Sequence, residues 1–190
     1  MEASGPALAA IVPARTVAEY TRLLKADSEE TTHLYFRNDF AGPTLASFEA
    51  NGVMLVSRLI EGQFAPWRRV VPTSYTERAT LAKTDILNAL RRMSIYARDD
   101  QQRVQVAFAG GAVQLSCFSG SYGEGKERIS ALVEGEETLI ALQGRFLAEG
   151  IDAVGGEGCR IELTTSLSPC VVRPLEGDDF LYVQSPMHPR

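Results

Sequence analysis

The stretch Arg58-Leu59-Ile60-Glu61-Gly62-Gln63-Phe64-Ala65-Pro66-Trp67-Arg68-Arg69-Val70-Val71-Pro72 connects two parts of the chain that repeat one another. Upstream, residues 8–12 read as a strand. A helix over about residues 13–25 follows, and then alternating, β-rich runs at 32–36, 45–48 and 53–57. Downstream the same order occurs twice. Residues 79–82 lead into a helix at 84–97 and runs at 103–108, 112–116 and 129–132. Residues 138–142 lead into a helix at 145–154 and runs at 160–163, 170–172 and 180–183. Val17, Leu87 and Leu147 fall at equivalent helix positions, offset by 70 and then 60 residues. Self-similarity at such a period marks a repeated supersecondary unit.

The apolar positions have helical period: Val17, Tyr20 and Leu24, then Leu87 and Leu90, then Leu147 and Val154, with Ser94 and Gly150 weakening the later stripes. Pro13 suits a first helical turn, Thr84 an N-cap and Gly144 a weaker one, and Gly155-Gly156 a helix stop. Asn51-Gly52, Gly110-Gly111, Ser168-Pro169 and Glu176-Gly177-Asp178 supply turns between strands. Each unit is therefore βαβββ, and the expected class is α+β with mainly antiparallel sheet. Residues 1–72 form one unit plus the connector, and 73–190 form a domain of two units.

Composition narrows the function classes. The 190 residues (20.7 kDa) are 45% hydrophobic and 23% charged, with a mean hydropathy of −0.07, which excludes disorder. No run approaches the roughly 18–20 apolar residues a bilayer needs, so no membrane partner is expected. Met1-Glu2-Ala3-Ser4-Gly5-Pro6 has no signal-peptide pattern. Cys117, Cys159 and Cys170 form no CxxC pair, which argues against a zinc ribbon or disulfide scaffold and for a reducing, cytoplasmic setting. They read as small apolar strand residues. There is no P-loop, GxGxxG or HExxH, and His33 and His188 are the only histidines. No catalytic residue, cofactor or metal is expected; the one enzyme reading left is a thiol activity at a cysteine. The net charge of −5 counts against non-specific nucleic-acid binding by the surface as a whole, though not against one basic face.

The connector resembles a segment of the β subunits of bacterial DNA polymerase III, the sliding clamps, in which K-L-[ILV]-[DE]-G-x-[FY]-P-[DN]-[YW]-x-R-V-[ILV]-P recurs. Leu181-Tyr182-Val183-Gln184-Ser185-Pro186-Met187 is similar to that family's closing run, and Gln143-Gly144-Arg145-Phe146-Leu147 to the opening of its last helix. The resemblance implies a DNA-clamp fold. A family chain has six βαβββ halves paired into three domains, and two chains close into a ring around duplex DNA. Three halves are present here, corresponding to the second half of the middle domain and the whole last domain, while residues 1–7 match nothing. The implied function is a truncated or short-form clamp, a non-catalytic processivity factor tethering DNA polymerase III during replication. The alternative is a non-encircling module that competes for clamp-binding peptides.

The resemblance also assigns roles. In the family the helices line the bore, so Arg15, Arg22 and Lys25, then Lys83, Arg91 and Arg92, and Arg145 are candidates for contacting duplex DNA without sequence preference. Trp67, Arg69, Val70, Val183, Pro186 and Met187 fall on positions that receive apolar peptides of polymerases and the clamp loader. Pairing of the run at 180–183 is expected to hold the tail there. Departures are Ala65-Pro66, which shifts the family proline, Gln184 and Ser185 for an apolar pair, and His188 for a common arginine. Ile95 and Tyr96 align with an oligomer contact, which implies a homo-oligomer, and Glu124, Lys126, Glu127 and Arg128 are expected on an edge strand.

Overall fold

A computed structural model describes residues 8–24, 32–40, 42–98, 100–177 and 179–188. The expectations for residues 1–7, Lys25 and Asp178 lie outside the described residues. The chain divides after Ala65, inside the connector, into a smaller and a larger unit.

In the smaller unit, α1 (Ala14–Leu23) is followed by β1 (His33–Asp39), β2 (Gly42–Ala50) and β3 (Val53–Arg58), an antiparallel sheet in the order β1-β2-β3. Asn51 (φ 53) and Gly52 (φ 73) make the tight β2–β3 turn, whose left-handed backbone asparagine and glycine tolerate. Asn51 also donates from Nδ2 to the Leu23 carbonyl, closing the end of α1 at 2.5 Å. Thr16 Oγ1 and Ser57 Oγ lie 2.7 Å apart, and the Tyr20 and Phe48 rings are 4.9 Å apart. The core is small: Ala46, Phe48 and Leu59, with Ala10, Val12, Tyr20, Phe36 and Leu55 against it. Burying Phe48 is worth about 1.5–3 kcal/mol. The expected stripe on α1 is only partly used. Val17 is 48% exposed and Leu24 is also exposed, while Thr16 is buried. Pro13 is the N-cap rather than a first-turn residue. Residues 8–12 form a single bridge, Ile11 with Ile60, instead of a full strand.

The larger unit begins with a 3-10 turn at Trp67–Arg69 and continues with β4 (Glu77–Ala82), α2 (Lys83–Tyr96), β5 (Arg103–Ala109), β6 (Ala112–Ser119), β7 (Gly123–Ser130) and β8 (Leu132–Glu134). The second half follows as β9 (Thr138–Gln143), α3 (Gly144–Ala153), β10 (Gly158–Leu163), β11 (Cys170–Pro174) and β12 (Tyr182–Gln184). Two sheets result, β12-β11-β10-β4-β8 and β7-β6-β5-β9, with every pairing antiparallel. The halves exchange their leading strands. β4 pairs with β10, and β9 pairs with β5. Neither half can complete a sheet without the other.

Alternation in β5, β6 and β9 sends Val104, Val106, Phe108, Val113, Leu115, Ile140 and Leu142 inward. Ile86, Ala89, Leu90 and Met93 of α2 and Leu147 and Ile151 of α3 pack on the same core. The α2 stripe is thus centred one residue away from Leu87, which is half-buried. Both larger helices start earlier than their expected caps: Ala82 and Gln143 are the N-caps, neither with a side-chain cap. Thr84 is therefore inside α2. Glu162 is buried on the β10 strand and accepts from Arg78 Nη2 at 2.8 Å and from Arg173 Nε at 3.2 Å, which joins β4, β10 and β11 by charge as well as by backbone.

Candidate functional site

α2 and α3 pack side by side in the larger unit, leaving a groove of about 450 Å³ between their exposed faces. Leu87, Leu90 and Ala148 form its floor, and Arg91 and Arg145 stand on its rims. The groove is not uniformly basic. Glu149 and Asp152 also line it, and Arg145 Nε donates to Glu149 Oε1 at 2.8 Å. Lys83 is turned away from such a role. Its Nζ donates to the carbonyls of Asp152 (2.5 Å) and Val154 (2.8 Å), closing the C-terminal end of α3, where a cation is favoured. Arg92 leans toward β7, and its Nε and Nη2 each lie 2.5 Å from a Glu127 carboxylate oxygen. That hydrogen bond holds the Glu127 carboxyl below the usual carboxylate range. Arg91 carries no described ion pair. In the smaller unit Arg15 and Arg22 are both exposed on α1, with Arg22 paired to Glu19 at 2.9 Å.

The tail is fixed more firmly than the short β12 strand alone would allow. Val183 pairs with Val171. Gln184, counted from sequence as a departure, is buried and donates from Nε2 to the Gln143 carbonyl at 3.1 Å. Met187 N donates to the Ala141 carbonyl at 2.8 Å, and Arg103 Nη1 to the His188 carbonyl at 2.6 Å. The tail therefore runs along the free side of β9. Met187 there lines a groove of about 390 Å³ with Phe118, Leu139 and Ala141, bordered by Arg103, Asp100, Gln105 and Glu124. None of Trp67, Arg69 or Val70 lines that groove. These three residues are exposed, with the Arg68 guanidinium 4.5 Å from the centre of the Trp67 ring. Sequence reasoning missed the floor of this groove. Leu139 falls in the run at 138–142, but Phe118 lies beyond the run read at 112–116, and bringing both to one groove depends on β9 joining β5.

Ile95 is exposed at the end of α2, whereas Tyr96 is half-buried against Gly125 of β7, where a Cβ would lie 2.6 Å from its ring. β7 is the edge of its sheet, so Glu124, Lys126, Glu127 and Arg128 do lie on an edge strand. All three cysteines are buried. Desolvation pushes the thiols of Cys117 and Cys159 up to about 11 and that of Cys170 up to about 12, which leaves no nucleophilic thiolate near neutral pH. Among the described residues there is no cluster of metal-binding side chains and no helix long and apolar enough to cross a membrane.

Residues 68–188 match the family described as "DNA polymerase III beta subunit, C-terminal domain". The chain belongs to that family. The match takes in α2, α3 and the tail and lies in the larger unit. Similarity to curated relatives extends further. The beta sliding clamp of Streptomyces coelicolor is 27% identical over 163 residues, covering 86% of this chain and 43% of that protein. The beta sliding clamp of Staphylococcus aureus is 25% identical over 171 residues, covering 89% and 44%. The chain thus spans less than half the length of these relatives. Among solved structures, the DNA polymerase III beta chain of Streptococcus pneumoniae superposes with a TM-score of 0.84 over 95% of this chain and 47% of that one, at 22% identity. The Bacillus subtilis sliding clamp gives 0.82 over 95% and 47%, at 21% identity. The fold is the α+β clamp fold of this family.

Proposed function

We propose that the chain is a non-catalytic clamp module that holds duplex DNA by its phosphates and tethers DNA polymerase III during replication. The observation that carries this reading is the α2–α3 groove, with Arg91 and Arg145 on its rims in a family whose curated members are named sliding clamps. Arginines on a helix face bind phosphate and read no bases, which suits a protein that must move along any sequence. Arg91→Ala should weaken duplex binding equally for all sequences and flatten the plot of log K against log salt by about 0.9, one phosphate contact. Arg92→Ala should change the slope far less, because Glu127 already holds that guanidinium. Equal binding by the parent and the Arg91 variant would remove α2 from the DNA face. Tethering would act through effective concentration, with the polymerase's peptide held by the chain while the chain holds DNA.

A second reading, a peptide-binding module that does not encircle DNA, is favoured by the groove at Met187. Its apolar floor and charged rim suit an extended segment with leucine or phenylalanine anchors. Of the tail residues only Met187 lines that groove; Val183, paired with Val171, and Pro186 belong to this reading as the residues that carry Met187 to it. Trp67, Arg69 and Val70 belong to the same reading as exposed apolar and cationic residues of the connector. Ile95 is the proposed contact to another subunit.

A further inference from the structure

Both βαβββ halves of the larger unit place their leading strand between two neighbours. β4 lies between β10, from the other half, and β8, from its own. β9 lies between β5, from the other half, and the segment after β12, where Met187 N bonds to the Ala141 carbonyl. In the smaller unit, residues 8–12 have the own-half neighbour in the same place: Ile60 N donates to the Ile11 carbonyl at 2.9 Å. Ile11 and Ala141 both stand two residues before an N-cap. Those caps share an extended backbone, with ψ 136 at Pro13, 131 at Ala82 and 113 at Gln143. Residues 8–12 are therefore the counterpart of β4 and β9 with one edge filled and one open. β1, the counterpart of β5 and β10, has β2 on one side and no second partner among the described residues. One small unit thus carries both an open donor strand and an open acceptor edge.

We propose that two copies of this chain close each other by strand exchange. Residues 8–12 of each copy lie antiparallel beside β1 of the other, and the two small units form a two-half domain on the pattern of the larger unit. The occupant is a second copy because reciprocal pairing fills both open edges on both chains. A foreign strand laid on β1 would leave residues 8–12 open. A two-fold axis generates both pairings from one contact.

The register follows from the larger unit. There each N-cap opposes the first residue of the strand that receives it, Ala82 with Gly158 and Gln143 with Arg103. Carried over, Pro13 opposes His33, Val12 opposes Leu34 and Ala10 opposes Phe36. This matches apolar with apolar on the core face, since Leu34 is in register with Phe48, and Phe36 with Ala46. Leu34 is 52% exposed in the single chain and would be covered. The backbone agrees. The Ile11 carbonyl points to Ile60, so by alternation the polar groups of Ala10 and Val12 point to the open edge. The two-residue Asn51-Gly52 turn makes Ala50 and Val53 a hydrogen-bonded pair. Alternation then turns the Leu34 and Phe36 groups away from β2, toward the same opening.

The test uses the whole chain and does not depend on the DNA or peptide reading. Light scattering at tens of micromolar should give twice the 20.7 kDa chain mass. The variants Ile11→Cys and Tyr35→Cys, made separately, place cysteines at directly opposed, non-hydrogen-bonded positions close enough for a disulfide. Oxidation of their mixture should give a covalent dimer, and neither variant alone should, because the native cysteines are buried. Ala10→Pro removes an N–H facing the partner and spares the Ile11–Ile60 bond. It should halve the mass with the far-ultraviolet circular dichroism retained. If that variant unfolds, the mixed cross-link still decides. A chain that stays monomeric, or a dimer whose mixed variants do not cross-link, would overturn the proposal.

Discussion

Gly150 of α3 sits under Tyr182 of β12, and the fit leaves no room for a methyl group. A Cβ built on Gly150 would lie 2.6 Å from Tyr182 Cγ and closer still to the ring edge. Ordinary carbon contacts begin at about 3.5 Å, so the ring must retreat by about 1 Å. Tyr182 is held by β12, a three-residue strand pairing only with β11, and the tail bonded to β9 follows directly. Alanine in a helix interior is favoured over glycine by about 0.8–1.0 kcal/mol, and overpacking of this kind costs about 1–3 kcal/mol. Taking about 2 kcal/mol for the clash, Gly150→Ala should destabilise by about 1 kcal/mol and lower the thermal midpoint of the larger unit by about 3–5 °C. The sign is the sharper measure. In a Tyr182→Ala background the clash is gone, and Gly150→Ala should stabilise by about 1 kcal/mol, a coupling of about 2 kcal/mol in a double-mutant cycle followed by calorimetry. Equal or raised stability of Gly150→Ala in the parent chain would refute the packing argument.

Three further outcomes are expected. With thiol pKa values pushed up to about 11 and 12, alkylation of the native chain at pH 8 should be at least about a hundredfold slower than in denaturant; rapid native alkylation would revive a thiol activity. The Glu127 carboxyl is held low by Arg92, so the stability it contributes should be present above the usual carboxylate range and lost as pH falls through its lowered value. Arg92→Ala should return the Glu127 titration, followed by carbon-detected NMR, to the ordinary range. Removing residues 186–190 should abolish binding of a leucine- and phenylalanine-rich clamp peptide and lower the thermal midpoint by only several degrees, since two hydrogen bonds of about 0.5–1.5 kcal/mol each are lost; unchanged peptide affinity would place the site elsewhere.

The repeat was legible because a leading apolar run, an amphipathic helix and alternating strands are local signals, and each half carries them. What sequence could not show is partnership. Which strand β4 and β9 join is decided by contacts between halves, and no local pattern encodes it. The same limit explains the residues misjudged. Gly150 looks like a flaw in a helical stripe until Tyr182 is placed over it, and Gln184 looks like a lost apolar residue until its amide meets the Gln143 carbonyl. Lys83 belongs to a basic face by composition, and to the end of α3 by geometry. On α1, Val17 follows helical period and remains exposed, because the sheet it packs on has only three strands.

The exchange of leading strands in the larger unit also sets a timetable for its birth. The Ala82–Gly158 pair spans 76 residues of chain, so β4 emerges from the ribosome long before β10 exists to receive it. At about 5–20 residues per second that wait is about 4–15 s, far longer than a hairpin such as β5–β6 needs to form. Through that interval β4 can have at most β8 of its own half beside it, which leaves one edge open and an apolar face uncovered, the kind of segment that chaperones bind and aggregates recruit. Its alternation with Glu77 and Arg78 puts charge at one end of that exposed edge while the rest of the domain is being made.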